Sequence, residues 1–198
     1  MNLWENDECA AWQAALAEYP AVLAAQGVNG LVEADEWYRQ ELPAQIAGRT
    51  PAAVTLEELE RATAWKMKRG VWRERNRLLV AGNAPALVAE TSQAAFAAAP
   101  DPRKPVALLC ALAGVGPATA SALLAVVRPD LYPFFDEWIA RQIPGLGPVA
   151  FTAPYYQRYA AVLRERAAAL AAACPQESWT AHAVGQALWA ASGGKAAG

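Results

Sequence analysis

The residues best suited to chemistry begin at the turn Ala113-Gly114-Val115-Gly116. It follows an apolar segment ending at Leu112, and Pro117 then opens a second apolar helix at the first helical position. Proline is favoured there because that position needs no N–H donor. Glycines at 114 and 116 can take positive φ and leave no Cβ between the backbone N–H groups and an incoming anion, while the second helix offers its positive N-terminus. A backbone phosphate fits such a turn, with Gly114, Val115, Gly116, Ala118 and Thr119 around it and the Val115 side chain plugged into the core. An ordinary αα-turn packed against protein uses the same residue types, so both uses stay open at this point.

A second feature is electrostatic. Six of the seventeen basic residues fall between Lys66 and Arg77, with Glu74 the lone acid among them. Lys66, Lys68, Arg69 and Arg73, interleaved with Trp65 and Trp72, form a candidate nucleic-acid contact, since cations neutralise phosphates and indole rings stack on bases. The alternative is a solvated helix face, or tryptophans anchored in the core with basic stems packed over them. Further along, Asp136 follows the loop Arg128-Pro129-Asp130-Leu131-Tyr132-Pro133-Phe134-Phe135 and precedes a helical run, a common place for an N-cap. His182 has no neighbouring candidate ligands, so no metal site is expected, and Cys110 reads as packing.

These groups must be positioned by helices. Alanine dominates, strand-like alternation is almost absent, and turn residues recur at intervals suited to helices of two to four turns. The expected fold is all-α, a compact bundle of about ten helices with a helix-hairpin-helix and a Pro-bearing loop leading to Asp136. The pattern predicts helices over 5–26 (bent at Pro20), 33–47, 55–68, 72–82, 85–98 in two pieces, 102–112, 117–127, 136–143, 154–173 and 178–191. Thr55 with Glu58 fits a capping box, and Thr91 and Ser178 are the other expected N-cap hydroxyls. Residues 1–198 are expected to form one domain, with residues 192–198 a flexible tail.

Composition bounds the rest. With 198 residues, 55% hydrophobic and 18% charged, the chain is too apolar for disorder and long enough to bury a substantial core. No apolar run approaches the ~20 residues that span a bilayer. Acids at Glu5, Asp7 and Glu8 stand where a signal peptide carries bases. A net charge of −2 argues against coating nucleic acid through bulk electrostatics. Cys9, Cys110 and Cys174 are odd in number and far apart, suggesting neither a disulfide framework nor a metal knuckle, so a reducing intracellular compartment is the default.

The run Leu112-Ala-Gly114-Val115-Gly116-Pro117-Ala-Thr119-Ala-Ser121, with apolar helices on both sides and Asp136 twenty-two residues after Gly114, resembles the helix-hairpin-helix (HhH-GPD) superfamily of DNA glycosylases, in particular members like endonuclease III. The resemblance covers residues 50–145; residues 1–49 do not align. It implies that Asp136 is catalytic: hydrolysis of an N-glycosidic bond passes through a cation-like sugar, which a carboxylate stabilises while orienting the attacking water. The target nucleotide must leave the stack, and Tyr132, Phe134, Phe135 and Trp138 are the expected pocket residues.

Three departures refine that expectation. Members that also cut the strand carry a lysine two residues after the second hairpin glycine, whose amine forms a Schiff base, and this chain has Ala118. The cysteines that hold an iron–sulfur cluster in some members are missing, so no cofactor is expected. Glu137-Trp138 follow the aspartate, where many relatives have Thr-His or another pair. The resemblance therefore implies a monofunctional enzyme of base-excision repair that binds double-stranded DNA without sequence preference, in the nucleus of a eukaryote or the cytoplasm of a bacterium. The alternatives are a catalytically silent relative binding DNA or a protein partner, and a helical adaptor whose basic run docks an acidic partner.

Overall fold

The computed structural model describes residues 2–175 and 178–195, and among them the chain is all helix with no strand. Helices α1 (Cys9–Ala17) and α2 (Tyr19–Ala25) are separated at Glu18, with Pro20 in the first turn of α2. Helix α3 (Leu31–Glu36) passes through a π-helical turn (Trp37–Glu41) into α4 (Leu42–Ala47). Then come α5 (Leu56–Arg69), α6 (Glu74–Ala81), α7 (Pro85–Ala97), α8 (Lys104–Leu109), α9 (Pro117–Val127), α10 (Glu137–Ala140), α11 (Ala153–Ala173) and α12 (Ala181–Ala191).

The start of α5 shows why helices begin where they do. Thr55 Oγ1 accepts from the Glu58 N–H while the Glu58 carboxylate accepts from the Thr55 N–H, so two orphan donors are satisfied reciprocally. The other two expected caps are corrected. Thr91 lies inside α7, which runs unbroken from Pro85 to Ala97, and α12 is capped by Thr180, whose hydroxyl accepts from Ala183, rather than by Ser178. The first hairpin helix also ends at Leu109 and tightens into turns through Leu112.

One hydrophobic cluster runs from Leu3 to Ala190 and gathers Trp12, Trp65, Trp189, Tyr38, Tyr156 and Tyr159 at its centre. Helix α12 is a hub, packed against α1, α2, α10 and α11, and α5 lies against α3, α6, α7 and α9. The segment before residue 50, which did not align with the family, packs on the rest through α1 and α2 against α12, α3 against α5 and α4 against α9.

Two expectations about the ends of the chain are corrected. Cys9 and Cys174 form a disulfide with Cα atoms 5.9 Å apart, tying the first residue of α1 to the end of α11. Their sequence separation of 165 residues hid this pairing, and the bond runs against the expectation of a reducing compartment. Residues 192–195 are held rather than loose: Ser192 Oγ donates to the Trp189 carbonyl, and Lys195 donates from its backbone to Gln26 and from Nζ to the Gly70 carbonyl. Residues 196–198 of the expected tail lie outside the described residues. Among the described residues no helix is long and apolar enough to cross a membrane.

Candidate functional site

The hairpin turn is built by its neighbour α6. Asn83, just beyond α6, accepts from the Ala113 N–H and donates to the Ala113 carbonyl, clamping the turn in both directions. Gly114 has φ +74°, and a Cβ there would lie 2.6 Å from the Asn76 carbonyl oxygen and 2.9 Å from the Val80 nitrogen. Its glycine is thus required by the left-handed backbone and by close packing on α6. Gly116 differs from expectation, with φ −106° in extended backbone and no atom within 4 Å of an added Cβ. Its outer side is open, and beyond it the Ala118 and Thr119 N–H groups lie in the first turn of α9, where no intrahelical acceptor exists. Val115 is buried as expected, and Thr119 is buried as well, at 1% exposure, which corrects its expected place against an anion.

The loop into Asp136 is extended and would leave its backbone unsatisfied without side-chain partners. The Phe135 N–H donates to Ser121 Oγ on α9, at 2.9 Å. The Tyr159 and Tyr156 hydroxyls of α11 donate to the Phe134 and Pro133 carbonyls, and Arg164 donates to Leu131 O. His182 on α12 accepts from the Phe134 N–H through Nδ1 and donates its own backbone N–H to Pro129 O. Burial, reinforced by the Arg69 charge, pushes the His182 imidazole down to about 4, which keeps it a neutral acceptor.

Asp136 emerges from this scaffold 7% exposed. One carboxylate oxygen caps α10 by accepting from the Trp138 N–H at 2.8 Å, and the other accepts from Arg69 Nη2 at 3.1 Å. Arg69 is itself buried, with Nη1 donating to the Tyr19 hydroxyl at 2.6 Å and its guanidinium 4.2 Å from the centre of the Trp189 ring. Tyr19 donates at 2.7 Å to Asp35, which also accepts from Trp65 Nε1 and Arg39 Nε. Two arginines and two aspartates therefore form one chain, Arg39–Asp35–Tyr19–Arg69–Asp136, buried from Asp35 to Asp136 and reaching the surface at Arg39. Burial raises the Tyr19 phenol well above its usual value, so it stays a proton donor to Asp35.

This chain contains the residues that sequence reasoning missed. Arg69 was expected on a DNA-facing surface, and the correction is that its charge is spent inside the protein on Asp136. The available signal was its spacing: Ala62, Trp65 and Arg69 recur at three- and four-residue steps, one buried stripe of α5. Asp35 and Tyr19 lie in the stretch that aligned with nothing.

A cleft opens beside Asp136, lined by Lys66, Arg69, Gly70, Val71, Arg73, Ala118, Phe134, Phe135, Glu137, Trp138 and Phe151. Its floor encloses about 80 Å³, room for a few water molecules. Phe134, Phe135 and Trp138 line it as expected. Tyr132 does not: it is buried elsewhere and its hydroxyl donates to Asp101 O. Phe151, half exposed on the rim, is an unanticipated wall. Lys66 and Arg73 reach the cleft, whereas Lys68 donates to the Asn29 carbonyl and Arg77 is paired with Glu74. Trp65 is in the core, stacked on Tyr38 with ring centres 3.5 Å apart, but Trp72 is exposed next to exposed Val71. The cleft thus gathers a carboxylate, an amine, a guanidinium and aromatic walls next to the open end of α9. Among the described residues no group of three or more His, Cys, Asp or Glu side chains could hold a metal ion. Burial pushes the Cys110 thiol up to about 11, leaving it a packing group.

Comparison with known proteins found no family profile, no curated protein and no solved structure that matches this chain.

Proposed function

We propose that the protein binds double-stranded DNA without sequence preference and releases a damaged or mismatched base by hydrolysing its N-glycosidic bond, as in base-excision repair. The observation that carries this reading is the meeting, in one cleft, of Asp136 with the first turn of α9 and with Phe134, Phe135 and Trp138. A phosphate at the Gly116 end of α9 would fix the strand, and Arg73 and Trp72 on the adjoining α5–α6 loop extend the contact. Each Asp136 oxygen has one partner and a lone pair left. The carboxylate can therefore face a developing sugar cation and orient a water toward it. Because the floor of the cleft is small, an extruded base enters with displacement of the half-exposed Phe151 ring. No cofactor takes part, and the setting is intracellular, with the Cys9–Cys174 bond requiring a place where it persists.

A second reading, a catalytically silent module that binds DNA or a protein, is favoured by a specific observation. Asp136 already holds a structural cap and a buried ion pair, so its presence has a purely structural cause. Incubating the chain with duplexes carrying single uracil, oxidised, alkylated or mismatched bases separates the two. The enzyme reading requires release of at least one base and a loss of about 100-fold or more for Asp136→Asn. Stoichiometric binding with no release on any duplex supports the module.

A further inference from the structure

A second cavity shares no lining residue with the Asp136 cleft. It encloses about 410 Å³, within the size range of small-molecule sites, between the π-helical turn, the end of α9 and the start of α12. Four polar side chains line it, and each keeps a donor that no acceptor among the described residues uses. Arg39 gives Nε to Asp35 at 2.6 Å, while both of its Nη groups are without a hydrogen bond. Thr180 Oγ1 accepts from the Ala183 N–H, which leaves its own proton to donate. His182 accepts at Nδ1 from the Phe134 N–H, so the neutral ring carries its proton on an unpaired Nε2. One turn further along α12, on the same face, the Gln186 amide has no partner either.

We propose that this cavity binds a small organic anion, with a phosphate or carboxylate head held by Arg39, Thr180, His182 and Gln186 and an apolar body packed on Pro43 and Val126. No Asp or Glu lines the cavity, so its donors have no carboxylate of their own to satisfy them. Asp35 is fully buried and already accepts from Tyr19 and Trp65 as well as from Arg39. Its grip on Nε fixes the plane of the Arg39 guanidinium, which leaves the two Nη groups arranged as a fork for two oxygens of one head group. Helix α12, eleven residues long, starts at the cavity and adds the positive end of its dipole. The site goes beyond the reading of the Asp136 cleft and does not depend on it.

The test titrates the full chain with phenyl phosphate, benzoate, inorganic phosphate and benzyl alcohol by calorimetry, with NMR following the Arg39 Nε–H and Gln186 amide signals. Phenyl phosphate or benzoate should bind saturably and shift both signals, the tighter of the two naming the head group. Inorganic phosphate, which lacks the body, and benzyl alcohol, which lacks the charge, should each bind about 10-fold or more weakly than that probe, and so should the probe itself to Arg39→Gln. Because Arg39→Gln also takes a cation from buried Asp35, Val126→Glu serves as a second variant. It sets a carboxylate in the cavity wall, leaves the charge chain intact and should abolish binding at a similar melting temperature, whereas Leu87→Glu on the exposed side of α7 should bind normally. No saturable binding, shifts confined to other residues, or full affinity in Val126→Glu overturns the site. Displacement of the probe by an undamaged duplex also overturns it, since the cavity would then be a contact for the DNA backbone.

Discussion

Replacing Arg69 with methionine tests the buried charge chain most directly. The change keeps an unbranched stem among Trp65, Phe134 and Trp189 but removes the guanidinium that faces Asp136 at 3.1 Å and Tyr19 at 2.6 Å. Asp136 is then left buried without a cationic partner, while Asp35 keeps Arg39. Breaking a buried pair by deleting one partner costs about 3–5 kcal/mol, because the remaining charge is left unsatisfied. For a chain of this size each kcal/mol lowers Tm by about 2–4 °C, so the variant should melt about 6–20 °C lower. Asp136→Asn keeps an oxygen to cap α10 and removes the orphaned charge, so the double variant should recover about 1–3 kcal/mol relative to additivity. Calorimetry or urea unfolding of the four proteins measures this. A loss under about 1 kcal/mol for Arg69→Met, or strict additivity, would refute the claim that Arg69 exists to hold Asp136.

The two hairpin glycines should behave oppositely. Gly114→Ala forces a left-handed backbone and a Cβ into the α6 backbone, costing at least about 1–3 kcal/mol in urea unfolding. Gly116→Ala should change stability by less than about 0.5 kcal/mol and show its effect as weaker duplex binding, since its outer side is open. Reducing the Cys9–Cys174 bond, or replacing both cysteines with serine, should lower stability by up to about 5 kcal/mol, the chain-entropy value for so long a loop; unchanged melting under reductant would contradict this. Because the folded His182 is held near 4, below its unfolded value, its contribution is present above about pH 6.5 and lost as pH falls through 4. His182→Gln should flatten that part of the stability–pH curve, and an unaltered curve would show that another group titrates there.

The all-helical fold was legible because alanine content and turn spacing act locally, residue by residue. Helix ends were less so where two hydroxyls competed, as with Ser178 and Thr180, since only three-dimensional placement decides which one reaches the free N–H groups. At the site, spacing was enough to bring Asp136, Phe134, Phe135, Trp138 and the hairpin to attention, and these do share a region of the fold. What stayed hidden were couplings between distant segments: Arg69, the partner of Asp136, comes from α5 and is itself held by Tyr19 on α2, the partners of the Asp136 loop come from α9, α11 and α12, and the Cys9 partner is residue 174. Arg69 shows the limit most clearly, because a basic residue in a basic run looks solvent-facing until its buried acid is found.

The central claim is that the cleft at Asp136 recognises a cationic sugar in duplex DNA. It is tested most directly by comparing the affinity of the chain for a short duplex holding a cationic abasic-site analogue with its affinity for the same undamaged duplex at moderate salt. The account predicts far tighter binding to the analogue and loss of that preference in Asp136→Asn. Equal affinity for both duplexes, or no binding to either, would contradict it.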